Sequence, residues 1–337
     1  MTQEDGGTRD SVFYCVNDYW ACGWYRCYVP GVALKQLGYR VLLDEKVTAQ
    51  DIANHDVIVV QTPPTPQHLG VIRATNEAGK LSVLEMDDDI WHISPLNPTH
   101  RHWSRPEVRA NVRACVEEAQ VVTTPTHALA ELFRTMNPNV KVLPNMLPAQ
   151  GWDYPTPKAQ REDKVVIGWA GSMSHSGDLR VVDGIVQQLL DRYPQAEFIM
   201  AGGLKPEELA GHDRISYLKA TDIQAYPGTL EKFDIGLIPL ADTAFNRSKS
   251  DLKFVEYSML GIPSVASKLE PYLRSVKHGE NGFLASSPKD WLKHLTRLVE
   301  DIELRRGIGA RAQEFARTRT IDQAIDKWEK AYGLTRP

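Results

Sequence analysis

The sequence gives little reason to expect a segment that would direct the chain into or across a membrane. Its first ten residues, MTQEDGGTRD, are polar and acidic and contain no apolar core of a secretory signal. No apolar run approaches the roughly 18 residues needed to span a bilayer. We therefore expect a cytoplasmic protein without a membrane span.

Other absences limit the function class. Lys and Arg number 39 against 43 Asp and Glu, a net charge of -4, so no overall positive field favours nucleic acid, although a local basic patch is still open. The four cysteines lack CxxC spacing and are expected to be reduced thiols. Neither half carries G-x-G-x-x-G in its first strand–helix turn, which argues against a dinucleotide oxidoreductase.

What the sequence does contain is a regular alternation of short apolar runs and helical stretches, which is typical of parallel sheets with crossover helices. The first half predicts strands at 11–16, 39–43, 56–61, 81–86, 119–124 and 140–144. After a Pro-rich stretch at 147–163, a second series follows at 164–172, 196–203, 214–218, 233–240, 262–267 and 282–286. The pattern predicts an α/β chain with two doubly wound, Rossmann-like domains.

The end of the chain predicts one more helix, at 321–333. Its apolar residues fall on one stripe: Ile321, Ile325, Trp328 and Tyr332. Both domains are already complete before this helix, so we expect it to pack back on the first domain. The predicted divisions are 1–150, 151–317 and 318–337.

In open parallel sheets, ligands bind beyond the carboxyl ends of the strands. After the strand at 233–240, Ser248 and Asp251 have capping-box spacing, and a helix is predicted to follow. Lys249, Lys253 and Glu256 lie at i, i+4 and i+7 on one face of it. Two lysines at a helix N-terminus suit a phosphate, and a carboxylate two turns further suits a ribose diol. The alternative is a solvated Lys/Glu face.

The segment KSDLKFVEYSMLGIPSVASKLEPYLRSVKHGENGFLASSPKDW (249–291) resembles the donor-binding region of the retaining GT-B glycosyltransferases usually called family 4. Three other segments resemble the same family: CGWYRCYVPGVAL (22–34), VLPNMLP (142–148) and GWAGSMSHSGDL (168–179). The resemblance implies a GT-B fold, two Rossmann-like domains facing across a cleft. It also implies transfer of a sugar from a nucleotide-diphosphate sugar, UDP-sugar favoured, with retention. No cofactor is required, and a divalent metal is not expected.

By this resemblance, Glu256 binds the ribose of the donor. The chain departs from the family where a sugar-binding glutamate is replaced by Ser248, and where a basic pair is replaced by Ser172 and Asp178. We expect Lys249, Lys253 and His175 to supply the missing charge. The predicted donor-binding set is Gly23, Arg26, Gly171, Ser172, Lys249, Asp251, Lys253 and Glu256. The predicted catalytic set is Asp87, Asp88 and His175.

An acidic segment, LEMDDDIWHISPLNP (84–98), follows a strand of the first domain. Asp87, Asp88 and Asp89 are predicted to orient or deprotonate an acceptor hydroxyl, with Trp91 beside them. Two alternatives are open. The run resembles the metal-binding D-x-D of GT-A enzymes, or one aspartate caps the next turn.

Arginines recur every fourth residue from Arg101 through Arg105 and Arg109 to Arg113, next to Trp103. This pattern predicts a site for a charged acceptor, including DNA, with Trp103 available for stacking on a base. The alternative is a solvated helix face paired with nearby glutamates. The acceptor is otherwise expected to be a glycan or small molecule. A catalytically inactive binding module and a nucleotide-sugar epimerase stay open as alternative functions.

Overall fold

The computed structural model describes residues 9–336, apart from 149, 153, 155, 176, 207, 208, 210 and 211. The chain divides into two compact units. The first contains the residues up to Trp91, His102–Met146 and the C-terminal stretch from Ile321 onward. The second contains His92–Arg101 and Leu147–Thr320. The His92–Arg101 stretch therefore groups with the second unit, although sequence analysis placed it in the first.

The first unit is built on a parallel six-stranded sheet in the order β2-β1-β3-β4-β5-β6. Its strands are β1 (Ser11–Cys15), β2 (Arg40–Asp44), β3 (Val57–Gln61), β4 (Leu81–Glu85), β5 (Val121–Thr124) and β6 (Val140–Val142). Its helices are α1 (Ala21–Gly23), a π-helix (Trp24–Tyr28), α2 (Val29–Gln36), α3 (Ala49–Asn54), α4 (Pro66–Glu77), α6 (Pro106–Glu118) and α7 (His127–Arg134), and α5 (His100–Trp103) lies where the units divide. Central strands are buried on both faces, which explains why they appear in the sequence as continuous apolar runs.

The second unit repeats this plan with a parallel sheet in the order β12-β11-β10-β7-β8-β9. Its strands are β7 (Val165–Ala170), β8 (Ala196–Ala201), β9 (Ile215–Leu218), β10 (Ile235–Ile238), β11 (Ser264–Ser267) and β12 (Phe283–Ala285). Its helices are α8 (Ile185–Arg192), α9 (Tyr226–Leu230), α10 (Ala244–Arg247), α11 (Leu252–Met259), α12 (Glu270–Leu273), α13 (Pro288–Glu300) and α14 (Ile302–Ala316). The prediction of two Rossmann-like domains is confirmed.

The end of the chain belongs to the first unit. The predicted helix at 321–333 is shorter than expected: a 3-10 turn (Ile321–Gln323) precedes α15 (Asp326–Tyr332). Trp328 and Tyr332 of the predicted apolar stripe are 1% and 0% exposed. Glu329 accepts a hydrogen bond from the Tyr39 hydroxyl at 2.8 Å, which ties α15 to the segment before β2.

None of the described helices is long and apolar enough to cross a membrane. The four cysteines are free thiols, and Cys22 is the exposed one.

A buried ion pair joins three parts of the first unit. The Arg26 guanidinium holds the Glu85 carboxylate with two hydrogen bonds, Nε–Oε1 at 2.7 Å and Nη2–Oε2 at 3.0 Å. Its Nη1 donates to the Leu143 carbonyl and, at 2.9 Å, to Asn145. Both charged side chains are 1% exposed, so their charges depend on each other for compensation.

We expect Arg26→Leu to lower the free energy of unfolding by about 3–5 kcal/mol, because it leaves the Glu85 carboxylate buried and unpaired. The Arg26→Leu/Glu85→Leu double variant should recover much of this loss. Urea denaturation followed by circular dichroism measures both. Arg40→Leu is the control, since its ion pair with Asp10 is exposed and such pairs contribute less than about 1 kcal/mol. Equal losses for Arg26→Leu and Arg40→Leu would contradict the role given to the buried pair.

Candidate functional site

In the second unit, the backbone of the loop after β7 is approached closely by neighbouring side chains. A side chain on Gly171 would place its first carbon 2.6 Å from the Trp169 ring and 3.2 Å from the Lys253 Nζ. The Trp169 ring therefore requires glycine at this position, and the missing side chain leaves room for the Lys253 Nζ close to the loop. Ser172 follows as an exposed residue whose hydroxyl lies 2.7 Å from that of Ser174. The loop thus brings backbone, hydroxyl groups and one ammonium group together.

Asp178 ties this loop to the segment after β10. One carboxylate oxygen accepts hydrogen bonds from the Ala241 N–H at 3.0 Å and from the Asn246 side chain at 2.6 Å. The other lies 2.7 Å from Nδ1 of His175. Asp178 is 4% exposed, so three donors satisfy a buried carboxylate. The residue that stands where the family has a lysine is therefore an internal anchor for two loops.

His175 lies between Asp178 and Lys253 and is held neutral. Since the carboxylate only accepts, Nδ1 of His175 carries the proton, and Nε2 faces the Lys253 Nζ at 3.5 Å. Burial and the Lys253 charge lower the pKa of His175 to about 4, although Asp178 opposes this. The expectation that His175 supplies positive charge is therefore wrong at neutral pH. Its observed role is to accept a hydrogen bond from Lys253.

The predicted capping box is not formed. The Ser248 hydroxyl donates to the Phe245 carbonyl at 2.7 Å, after the end of α10, and α11 begins at Leu252 without a side-chain cap. Lys249 consequently precedes the helix, and its Nζ lies 4.2 Å from the centre of the Phe245 ring. Lys253 sits in the first turn of α11, where its charge adds to that of the free backbone N–H groups.

Glu256 lies one turn after Lys253 on α11 and is 4% exposed. It accepts a hydrogen bond from the Tyr226 hydroxyl at 3.3 Å, and its charge opposes the lowering of the Lys253 pKa, whose largest cause is burial. Lys253 and Glu256 therefore form a neighbouring cation and carboxylate on one helix. This is the pair that sequence analysis assigned to phosphate and diol.

Asp251 does not fit its predicted role in donor binding. Its two carboxylate oxygens accept hydrogen bonds from Arg319, at 2.6 Å from Nη1 and 2.9 Å from Nη2. The Ser275 hydroxyl donates to the same carboxylate. Asp251 therefore links the start of α11 to the end of the unit. Arg26 likewise does not fit a donor-binding role, because the buried pair with Glu85 occupies its guanidinium.

In the first unit, Asp87 follows the carboxyl end of β4 and meets residues from two neighbouring strand ends. The Cys22 thiol donates a hydrogen bond to Asp87, and the Thr62 hydroxyl lies 3.4 Å from its Oδ1. Burial and the adjacent Asp88 raise the pKa of Asp87 to about 6, while Cys22 and Arg26 oppose the shift. A carboxylate with this pKa accepts a proton efficiently near neutral pH.

Sequence analysis missed three contributors to this cluster: Cys22, Gln61 and Thr62. Among the described residues, Thr62 alone has a positive φ without being glycine, at 41°. Gln61 is 1% exposed; its Oε1 accepts from the Asn17 N–H at 2.9 Å. Its Nε2 has no hydrogen-bond partner within the described part of the chain. Backbone strain and an unsatisfied buried donor are features that concentrate at binding sites.

Asp89 and Arg109 serve internal contacts, whereas Arg113 of the same arginine stripe lies on the surface. Asp89 accepts from the Trp91 N–H at 3.1 Å, which matches the capping alternative for one of the three aspartates. The Arg109 guanidinium donates to the carbonyls of Trp103, at 2.8 Å, and Trp91, at 3.2 Å. Arg113 lies 3.9 Å from Glu117 on the surface of α6. The Trp91 ring packs edge-on against Phe133.

Within the described ranges, no three His, Cys, Asp or Glu side chains are grouped so that they could hold a metal ion. The acidic run after β4 is split, because Asp89 is directed to the backbone of Trp91 while Asp87 faces Cys22 and Thr62.

Known proteins resemble the chain in sequence and in fold. Residues 164–301 match the family described as Glycosyl transferases group 1. A D-inositol 3-phosphate glycosyltransferase of Corynebacterium jeikeium (strain K411) is 26% identical over 204 residues, which cover 54% of this chain. The match spans 48% of that relative, so this chain aligns with about half of it.

Two solved structures have the same fold over nearly the whole chain. Anabaena Alr3699/HepE in complex with UDP has a TM-score of 0.66 at 17% identity, covering 96% of this chain and 99% of that one. The same protein with UDP-glucose has a TM-score of 0.63 at 19% identity, covering 96% and 100%. The chain therefore has the GT-B fold, and residues 164–301 of its second unit are similar to the glycosyl transferases group 1 family.

Proposed function

We propose that the chain is a glycosyltransferase that moves a sugar from a UDP-sugar to a hydroxyl group of a glycan or small molecule, with retention at the anomeric carbon. The observation that carries this proposal is the placement of Lys253 over the Gly171 loop, with Glu256 one turn further along α11. These residues lie within the stretch that matches the family.

The second unit supplies the chemistry that a nucleotide diphosphate needs. Lys253, Lys249 and the free N–H groups of α11 provide positive charge for the diphosphate, and Gly171 lets its oxygens approach the backbone. In this proposal the Glu256 carboxylate, one turn beyond Lys253 on α11, accepts hydrogen bonds from both ribose hydroxyls. UDP is favoured because structures similar in fold contain UDP and UDP-glucose.

The first unit supplies the base that takes the proton of the reacting hydroxyl group. In the proposed step the acceptor oxygen forms a bond to the anomeric carbon, the bond from that carbon to the diphosphate oxygen breaks, and UDP leaves with the electron pair. Asp87 takes the hydroxyl proton, with Asp88 beside it. No protein nucleophile is invoked; positioning and electrostatic stabilisation of the leaving UDP supply the rate.

The arginine contacts favour a neutral acceptor over DNA. Backbone carbonyls occupy the Arg109 guanidinium, and Arg113 is paired with Glu117. Both guanidinium groups already have partners within the protein, so neither is positioned specifically for phosphates. The reacting carboxylates, Asp87 and Asp88, also repel a polyanion.

We expect UDP-glucose at 100 times its dissociation constant to stabilise the protein by about 2.7 kcal/mol in a thermal-shift assay. Lys253→Met and Glu256→Gln should each weaken binding by about tenfold or more, because each removes a charged partner of the ligand. Lys289→Met, which alters an exposed lysine in the same unit, is the matched control.

GDP-, ADP- and TDP-glucose in the same assay test the base. If none of these nucleotide sugars stabilises the wild-type protein, the proposed donor site is wrong. Unchanged UDP-glucose binding in Glu256→Gln rules out the ribose contact. Slow release of UDP without acceptor distinguishes an enzyme from an inactive binding module.

We expect transfer to rise about tenfold per pH unit below pH 6 and to level off above it, because Asp87 with its raised pKa must be ionised to accept a proton. Asp87→Asn should reduce transfer by roughly 10²–10⁴-fold while UDP-glucose binding is retained. Release of UDP is measured with 4-nitrophenyl glycosides and malto-oligosaccharides as acceptor probes.

We expect Asp87→Asn to leave the stability of the folded protein unchanged or higher, although it lowers transfer. Because folding raises the Asp87 pKa, the folded protein favours the protonated carboxyl, and the contribution of Asp87 to stability falls as pH rises from about 4 to 6. Asp87→Asn should therefore have a melting temperature at pH 7.5 at least as high as the wild type. A lower melting temperature would indicate that lost transfer reflects unfolding; exposed Asp183→Asn is the control.

A further inference from the structure

The loop between β1 and α1 exposes two aromatic rings side by side in the chain. Trp20 is 63% exposed and Tyr19 is 43% exposed, and Trp20 is the most exposed large hydrophobic side chain of the described residues. Tryptophan is highly buried on average, so two neighbouring exposed aromatic rings in one loop form a candidate contact surface for a ligand.

This exposure belongs to a loop with a fixed backbone. Asp18 Oδ1 accepts hydrogen bonds from the N–H groups of Trp20, at 2.9 Å, and Gly23, at 3.3 Å. Gly23 returns so closely that an added side-chain carbon would lie 1.7 Å from the Asp18 carbonyl oxygen. At its other end, the Asn17 N–H is held by the buried Gln61. A loop ordered before binding loses little entropy when a ligand arrives.

The loop also lies at the proposed acceptor-activating group. Cys22, two residues after Trp20, donates to Asp87. The strand ends that meet here, those of β1, β3 and β4, are neighbours in the sheet and carry Asn17, Gln61 and Asp87. This edge is where parallel α/β sheets bind ligands.

We propose that Trp20, with Tyr19 beside it, is the stacking surface for the ring of a neutral acceptor: the apolar face of a pyranose in a glycan or glycoside. The face of an indole is the negative pole of its quadrupole and attracts the C–H groups that line one side of a pyranose. The unsatisfied Gln61 Nε2 supplies a donor for a hydroxyl of the same ligand. This inference rests on the proposed function and names its acceptor class.

Charge around the rings excludes the other common partners of exposed aromatics. Tyr19 lies near Asp44 and Glu45, and Asp18, Asp87 and Asp88 lie near Cys22, two residues after Trp20. A single-stranded nucleic acid or an anionic membrane would meet five carboxylates here and be repelled. A neutral sugar is not repelled by them and gains hydrogen-bond acceptors for its hydroxyls.

The test compares Trp20→Ala, Trp20→Phe and Leu42→Ala. Leu42 is 45% exposed on edge strand β2 of the same unit and serves as the matched control. Steady-state transfer from UDP-glucose to 4-nitrophenyl and methyl glycosides gives the acceptor KM, and saturation-transfer NMR gives glycoside binding without turnover. Thermal shifts with UDP-glucose report the donor site separately.

We expect Trp20→Ala to raise the acceptor KM and the glycoside dissociation constant by about tenfold. The UDP-glucose shift and the control variant should be unchanged, and Trp20→Phe should recover most of the loss. An unchanged glycoside affinity in Trp20→Ala would overturn the inference, as would a parallel loss of UDP-glucose binding. If Trp20→Ala instead abolishes sedimentation with anionic vesicles at unchanged glycoside affinity, the surface binds membrane and the inference is wrong.

Failure of the proposed function looks different. In that case UDP-glucose does not stabilise the wild type, whereas the NMR comparison of wild type and Trp20→Ala still decides whether Trp20 binds the glycosides.

Discussion

The buried pair of Arg26 and Glu85 fixes the part of the first unit on which the cluster of Cys22, Thr62 and Asp87 depends. Glu85 ends β4 two residues before Asp87, so the pair determines where that carboxylate begins its turn away from the sheet. The two charges of the pair act on the pKa of Asp87 in opposite directions: Glu85 raises it, and Arg26 lowers it by a smaller amount. The Thr123 hydroxyl donates to Glu85 as well, so all parts of the buried pair are satisfied. The ion pair thus fixes the end of β4 from which the proposed base extends, whereas burial and Asp88 are the main causes of its raised pKa.

The second unit also contains a buried, hydrogen-bonded carboxylate, but its partners are different. Asp178 is buried, fully hydrogen-bonded, and joins the loop after β7 to the segment before Lys249. Through the neutral ring of His175 it also restrains the Lys253 ammonium group. In both units a buried carboxylate near the carboxyl end of a strand positions a second, more accessible charge for ligand chemistry.

The sequence predicted the strands well and the partners of polar side chains poorly, for a physical reason. A strand buried on both faces must be apolar along its whole length, so its signal is local in the chain. The partner of a charged side chain is set by the fold: Arg26 and Glu85 are 59 residues apart, and Asp251 and Arg319 are 68 apart. Sequence spacing therefore could not distinguish Asp251, which is paired internally, from Lys253. Similarly, Asp87 and Asp89 look equivalent in sequence, and only the direction of the backbone after β4 separates them.

In the proposed donor site, Ser172 and Asp178 replace a basic pair of the family that the chain resembles, so the charge for a diphosphate must come from other residues. A carboxylate near the site repels phosphate unless its charge is compensated. Here Asp178 is 4% exposed, and three donors hydrogen-bond to its oxygens. Its negative charge is therefore largely compensated inside the protein and repels a nearby phosphate only weakly. The positive charge that remains at the Gly171 loop is that of Lys253, held by a histidine that is neutral at physiological pH. Because burial lowers the pKa of His175 to about 4, below the value of about 6 for Asp87, its ring adds no charge to the proposed donor site over the range in which Asp87 gains and loses its proton. His175 therefore does not couple the proposed donor binding to the pH dependence proposed for acceptor activation.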